Sequence, residues 1–475
     1  MDQTTQLRSE LVPYMIGGMV GGLMLLGCGM MPLFDPLEAQ HAESARELLQ
    51  NLPSLIPSFN GKPIAETPPL SIWMQSAFFA VFGESELSAR LSAALACGAT
   101  AGLIVRIAQR LLQPVTAAFT GLAFGLCLQM QFSGRAGTSD AIGLFFATCA
   151  LHFALQPVAL RVALSRRNLL SLALSLGGCF LSVGFRAIAS VIPICLFALA
   201  SPDASSRRKR LIACGLSFAP WLGWLLFVSS KSGTSLAFLM SRHNPFDLAD
   251  FSASTYIQGL PFYGATLLAG MLPFAHFIPA GIRSANAHGS EEKPNILLLL
   301  NALTPLALFT LAPEKHPSYI LPSYPALMIL AGVGAEARQT TTGTWFNLIK
   351  FTAVFLVLAL FLTPIAVRRF SATYNLVPHL RETARAGSEA ALCGSYSEPS
   401  VIWEIRKTTA SYPETVSTDN LISWLKGPGV RFAVATLEAA RDAGIAEPAK
   451  RAEGVSLRDG TRVRLCVLTP ADIPR

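Results

Sequence analysis

Charge is what this sequence has least of. Asp, Glu, Lys and Arg make up 14% of its 475 residues, whereas a soluble chain carries about a quarter. That shortage excludes an ordinary water-soluble protein of two or three domains. The motifs of common soluble chemistry are missing too: no P-loop, no dinucleotide fingerprint, no nucleophile elbow and no His-Glu-x-x-His. Zinc-finger spacing, an RNA-binding signature and a basic stripe interleaved with aromatics are also absent, so the formal net charge of +8 does not point to nucleic acid. The nine cysteines stand singly, mostly inside apolar stretches (Cys28, Cys97, Cys127, Cys149, Cys179). They read as small core residues.

What is abundant is apolar sequence, 52% of the chain, gathered into blocks that approach the roughly 20 residues needed to cross a bilayer. About eleven crossings are predicted, at 11–31, 87–109, 113–132, 139–157, 168–185, 186–200, 211–229, 257–281, 295–312, 319–336 and 346–367. Gly184–Phe185–Arg186 reads as a corner between the fifth and sixth. The centres of the spans are nearly free of charge, which argues against an ion or solute transporter. No small-residue cleavage site follows the first span, which is expected to be retained.

Arg106 and Arg110, Arg161/Arg166/Arg167, Arg207–Arg210, Arg283 and Lys293, and Arg338 fall between blocks on one side of this topology. The positive-inside rule makes that side the cytoplasm. An odd span count then places the N-terminus in the cytoplasm and both the 32–86 loop and the tail outside. The expected fold is an all-α polytopic membrane domain (1–370) followed by a small soluble α/β domain (371–475). In the tail, Val401–Glu404, Arg431–Thr436 and Thr461–Leu468 read as strands, and Asp419–Lys426 and Leu437–Ala443 as helices. Cys393 and Cys466 either pair there in an oxidising compartment or stay as two buried thiols. The 32–86 loop carries two helical patterns with Trp73 and Phe78/Phe79, as expected for helices lying in the membrane interface.

The loop run "FDPLEAQHAESARELLQ", then "PSFNGKPIAETPPLSIWMQSAFFAVFGESELSARLSA", with the later "TSDAIGLFF" and "EKHPSYILPSYPALMIL", resembles the bacterial GT-C glycosyltransferases. The nearest likeness is to lipid A aminoarabinose transferases, and a more distant one is to dolichyl-phosphate-mannose protein mannosyltransferases. The resemblance implies transfer of a sugar from a polyprenyl-phosphate donor to a lipid or glycan acceptor, at the periplasmic face of a bacterial inner membrane. Such chemistry needs a carboxylate as general base and cations or donors on the leaving phosphate.

On this resemblance Asp35, Glu38 and Asp140 are the candidate catalytic carboxylates. Lys315, His316 and Tyr319 are the candidate donor-phosphate cluster, with Arg135 and Arg186 as supplementary cations. Glu66 and His243 are a candidate pair for a divalent metal. Each has a structural alternative. Asp35, Pro36 and Glu38 fit a helix-capping arrangement, Asp140 suits a helix N-terminus, Lys315 and Tyr319 suit the interface, and His243 suits a solvated loop. The family pattern changes at Leu37, Gln40, Thr67 and Val183, which leaves open a non-catalytic relative that binds a lipid or a partner protein.

Overall fold

The computed structural model describes residues 3–64, 67–160, 162, 164–242, 253–287, 294–394, 396–409, 411–456, 458 and 460–473. The chain divides into two compact units. The first comprises 1–26, 65–74 and 90–357, and the second 27–64, 75–89 and 358–475.

The first unit is helical. In chain order the helices are α1 (Gln3–Leu25), then, after α2 (Leu37–Gln50), α3 (Leu70–Phe82), α4 (Glu86–Ala108), α5 (Pro114–Leu126), α6 (Leu128–Ser133), α7 (Asp140–Ala159), α8 (Arg166–Val183) and α9 (Ile188–Leu199). They continue as α10 (Ala204–Leu216), α11 (Ala219–Ser232), α12 (Leu236–Arg242), α13 (Ala253–Gly270), α14 (Ile278–Ala287), α15 (Pro294–Thr310), α16 (Tyr324–Ala337) and α17 (Thr342–Phe370). Among the described residues seven helical stretches are long and apolar enough to cross a membrane, or eight if a bent pair counts as one. This is a multi-pass membrane protein.

All eleven predicted blocks are helical, but not all are simple crossings. The block at 113–132 breaks at Cys127 into α5 and α6, and α15 is short. The block at 257–281 is bent by 107° between Pro261–Gly270 and Phe274–Ala285. The bend falls at Pro273, which has no N–H to continue a helix and clashes with the preceding turn.

The corner at Gly184 is a reversal. Gly184 has φ +61°, which only glycine adopts cheaply, and a 3-10 turn, Gly184–Ala187, links α8 to α9. Lys209 Nζ donates to the Leu164 carbonyl at 2.7 Å, and the Arg210 guanidinium lies 4.9 Å from the Phe197 ring. The start of α8 and the far end of α9 therefore lie at the same level along α10.

The second unit holds α2, the hairpin β1 (Ser58–Phe59)–β2 (Lys62–Pro63), the C-terminal part of α17, and α18 (Ala372–Thr383). It also holds a sheet of β3 (Glu389–Cys393), β4 (Glu414–Val416), β5 (Arg431–Thr436), β6 (Lys450–Val455) and β7 (Arg462–Leu468), in the order β4-β3-β5-β7-β6. β3 runs parallel to β4 and β5, while β7 runs antiparallel to β5 and β6. The helices α19 (Pro399–Thr409), α20 (Leu421–Leu425) and α21 (Leu437–Asp442) complete it. Val401–Glu404 is thus helix rather than strand. Val401, Ile402 and Ile405 are buried in the core beneath the sheet, and that helical spacing outweighs the β preference of the local Val-Ile-Trp run. The other tail elements fall where the sequence places them, and β3, β4, β6 and α18 are additional.

Cys393 and Cys466 are free thiols. Cys393 pairs in register with Ala435 on β5, and Ala435 pairs with Cys466 on β7. Two interstrand steps put their backbones about 9–10 Å apart, beyond the roughly 7 Å that a disulfide spans.

Candidate functional site

In the first unit, functional side chains converge where α7 begins, α8 ends and a 3-10 turn (Pro317–Ser323) leads into α16. Asp140 opens α7, where the helix dipole favours a carboxylate. Arg186 donates to Asp140 Oδ1 at 3.2 Å and to Ser318 Oγ at 3.4 Å. Ser318 Oγ lies 2.7 Å from His316 Nδ1, and the Ser318 N–H donates to that same nitrogen at 3.3 Å. A ring nitrogen that accepts in this way belongs to a neutral imidazole. Burial pushes the His316 pKa below its usual value, against the pull of Asp140. Arg186 also lies over the Tyr319 ring, 5.3 Å from its centre, and Tyr319 OH is 3.4 Å from Glu314.

Asp140, Arg186, Ser318, Tyr319 and Pro322 line a cleft there. It sits at the helix ends opposite those that carry Arg166 and Arg338, since α8 begins at Arg166 and α16 ends just before Arg338.

The other predicted cations lie elsewhere. Lys315 Nζ donates to the carbonyls of Phe309 and Thr310, at 3.4 and 2.8 Å, and to that of Ala312, closing the C-terminus of α15. Arg135 is buried and donates to the carbonyls of Leu23, Met24 and Leu26, the end of α1. Both are helix caps in this structure. Glu66 and His243 lie outside the described residues. Among the described residues no three His, Cys, Asp or Glu side chains cluster as metal ligands.

The first-loop carboxylates belong to the second unit. Asp35 does not cap α2, whose N-cap position is Pro36. It accepts from the Ser400 N–H at 2.8 Å, in the first turn of α19, and from Ser400 Oγ. Burial, opposed by those two hydrogen bonds and abetted by Glu398 and Glu38, raises the Asp35 pKa to about 7. Glu38 reaches back and accepts from the Phe34 N–H at 2.8 Å, bracing the turn ahead of α2 rather than capping the helix.

Beside them lies a charge network that the sequence did not disclose. Arg46 contacts Glu43 at 3.1 Å and Glu84 at 2.9 Å, and Arg406 on α19 contacts Glu43 and, at 3.4 Å, Glu47. Glu43, Arg46, Glu47 and Arg406 are buried. Glu47 also accepts from Ser58 Oγ and the Asn60 N–H, both at 2.6 Å, which holds the β1–β2 hairpin against α2. Arg46 stacks 3.7 Å over Trp403. The helix α2 is therefore packed within protein by α19 rather than resting on lipid. The end of α3 exposes Val81 and Phe82, as an interfacial helix should.

A sequence profile of the dolichyl-phosphate-mannose-protein mannosyltransferases matches residues 66–225. The fold itself is that of the GT-C glycosyltransferases. ArnT from Cupriavidus metallidurans in the apo state aligns over 100% of both chains with a TM-score of 0.76 at 17% identity. ArnT bound to undecaprenyl phosphate aligns with a TM-score of 0.73 at 18% identity. A more remote likeness, TM-score 0.53, is to the Archaeoglobus fulgidus oligosaccharyltransferase, at 13% identity over 96% of this chain and 74% of that one.

Within that class the sequence resembles the aminoarabinose transferases. The undecaprenyl phosphate-alpha-4-amino-4-deoxy-L-arabinose arabinosyl transferase of Erwinia tasmaniensis is 28% identical over 360 residues, 70% of this chain and 63% of that protein. Its counterpart from Aeromonas salmonicida is 26% identical over 341 residues, 68% and 61% of the two chains. The aligned part thus spans less than two thirds of these relatives.

Proposed function

We propose that the protein is a glycosyltransferase of the bacterial inner membrane that moves a sugar from a polyprenyl-phosphate donor to a lipid acceptor. The observation that carries this reading is the Asp140–Arg186–Ser318–His316 chain beside Tyr319, in a cleft at one end of the membrane helices. Arg186 is a planar, permanently charged donor able to bind the two oxygens of a leaving phosphate together. Asp140 orients it, and Tyr319 stacks beneath it. A preorganised donor aimed at developing charge is the largest common source of rate enhancement. Lys315 and Arg135 close the ends of α15 and α1, and Lys315 reaches phosphate only by releasing its carbonyls.

In this proposal Asp35 is the general base. A carboxylate with a pKa near 7 is matched to proton transfer at neutral pH, and Glu38 holds the turn that carries it. Glu66 with His243 remains the place for a divalent cation. The gathering of Arg166, Arg207–Arg210 and Arg338 in loops on one side of the predicted topology supports, under the positive-inside rule, a cytoplasmic N-terminus with the site and the 371–475 domain in the periplasm. A glycan acceptor is the finer alternative to a lipid one.

The test is mass spectrometry of lipid extracts from cells with and without the protein. The proposal expects the polyprenyl-phosphate sugar to accumulate and one glycolipid to lose that sugar when the protein is absent. Asp140→Asn and Tyr319→Phe should reproduce the loss. The second reading, a non-catalytic binder, draws on Leu37, which stands exposed at the start of α2, and it is favoured if the lipid profile stays unchanged while the protein is expressed.

A further inference from the structure

One cleft in the second unit lies away from the candidate site residues described above. It measures about 740 Å³ and is lined by residues of the α17 end, β6, β7 and the start of α21. Three guanidinium groups line it, Arg369, Arg462 and Arg464, against two carboxylates, Glu438 and Glu453. Glu453 stands directly across from Arg464 in the β6–β7 ladder, while Arg462 stands opposite Val455. No described carboxylate lies within ion-pair distance of Arg369, Arg462 or Arg464. Among the described residues the cleft therefore carries a positive surplus.

Its depth relative to a bilayer follows from α17. That helix exposes Phe361, Leu362, Ile365 and Phe370, and only 11% of its apolar window is buried in protein, so its surface faces hydrocarbon. Arg369 follows Ile365 by four residues, about 6 Å of helix rise, which brings it to the headgroup layer. The β6–β7 pair is fixed to the same point. Ser371 bridges to Val455, and Asn375 donates to the Glu453 carbonyl at 2.8 Å. A Cβ on Gly454 would stand 2.5 Å from Ala372 N and 2.7 Å from the Phe370 carbonyl, so only glycine lets β6 approach so closely. Arg462 and Arg464 are thereby carried to the level of Arg369.

We infer that this cleft binds the phosphate of an anionic phospholipid and so seats the C-terminal sheet on the membrane surface. The occupant is a lipid rather than a free ion, because the cleft opens beside a helix whose neighbouring surface is apolar and exposed. A phosphodiester there is bound by two or three guanidiniums while its acyl chains run down α17.

The experiment uses the full-length protein in nanodiscs and in detergent. Bound lipids are counted by native mass spectrometry after exposure to phosphatidylglycerol or to zwitterionic phosphatidylcholine. Each basic residue near an anionic surface is worth roughly a factor of five in binding. Arg462→Gln/Arg464→Gln should therefore weaken the tightest phosphatidylglycerol class about tenfold or more and leave phosphatidylcholine unaffected. Arg462→Lys/Arg464→Lys, which keeps the charge, should retain most of it. An unchanged phosphatidylglycerol profile in the Gln variant, with its melting temperature intact in phosphatidylcholine, overturns the inference. So does equal protection by inorganic phosphate alone, which would make the site one for a soluble anion.

Discussion

In the proposed mechanism two side chains carry most of the chemistry at the scale of single residues, and each makes its own prediction. Arg186 is held by Asp140 and Ser318, and lysine cannot reproduce its planar fork. Arg186→Lys should therefore lower turnover by about tenfold, and Arg186→Gln by roughly 100-fold or more, in a transfer assay on purified protein with the KM for acceptor little changed. Asp35 sets the pH response. A base must be ionised, so turnover should rise with pH through about 7, and Asp35→Asn should abolish activity rather than shift that limb.

Stability moves in the other direction. The folded pKa of Asp35 lies above its unfolded value of about 3.9, so between about pH 4 and 7 the folded state holds the extra proton. The contribution of Asp35 to stability is then lost as pH rises through that window. The melting temperature of Asp35→Asn relative to the native protein should climb from pH 5 to pH 8, and a flat difference would mean that the carboxyl ionises normally.

Single residues were also where the sequence said least. The fragments around Asp140 and Tyr319 could be picked out by resemblance, and they do lie together. Lys315 was read as part of the phosphate cluster and Arg135 as a supplementary cation, yet both hold helix-end carbonyls, and those around Arg135 become its neighbours only after folding. The buried Glu43–Arg406 contact joins positions 363 residues apart, and no local pattern announces it.

Elements were more legible. Hydropathy located the membrane helices because a bilayer demands a long apolar stretch of every crossing. It could not see that Pro273 bends one of them by 107°. The strand β3 was hidden because Glu-Ala-Ala-Leu-Cys lacks the β-branched residues that mark strands, its conformation being imposed by β4 and β5 on either side. The pairing register predicts that Cys393 and Cys466 both react with a thiol reagent in denatured, unreduced protein. Loss of two thiols from the nine-cysteine total would contradict it.

The packing of α2 on α19 predicts a strong asymmetry. Arg406→Met leaves the buried Glu43 with Arg46 as its cation and Glu47 with the Ser58, Asn60 and Gly61 donors of the hairpin but no arginine, which should cost about 3–5 kcal/mol. Adding Glu43→Leu should recover at least half of that, as read from thermal unfolding in detergent.

For the molecule as a whole, the distribution of arginine predicts the topology. An alkaline phosphatase fused after Phe370 should be active, and a green fluorescent protein fused there should be dark. The reverse result would put the 371–475 domain in the cytoplasm and remove the proposed site from the periplasm. The order of spans, loop and tail was readable in outline because each obeys a different solvent, and the GT-C likeness came from the resembling sequence runs alone. The joining of the first loop to the tail in one compact unit was not, since their contacts lie hundreds of residues apart in the chain.

That separation has a consequence for biosynthesis. Glu43 leaves the ribosome 363 residues and Glu47 359 residues ahead of Arg406, a delay of roughly 20–70 s at about 5–20 residues per second. During that interval the helices already inserted cannot complete the first loop, and its acidic face waits in water without its final counter-ion. The last hundred residues thus supply contacts that the first loop lacks until they have been made. A stalled or truncated polypeptide would display an open loop that quality-control proteases can recognise.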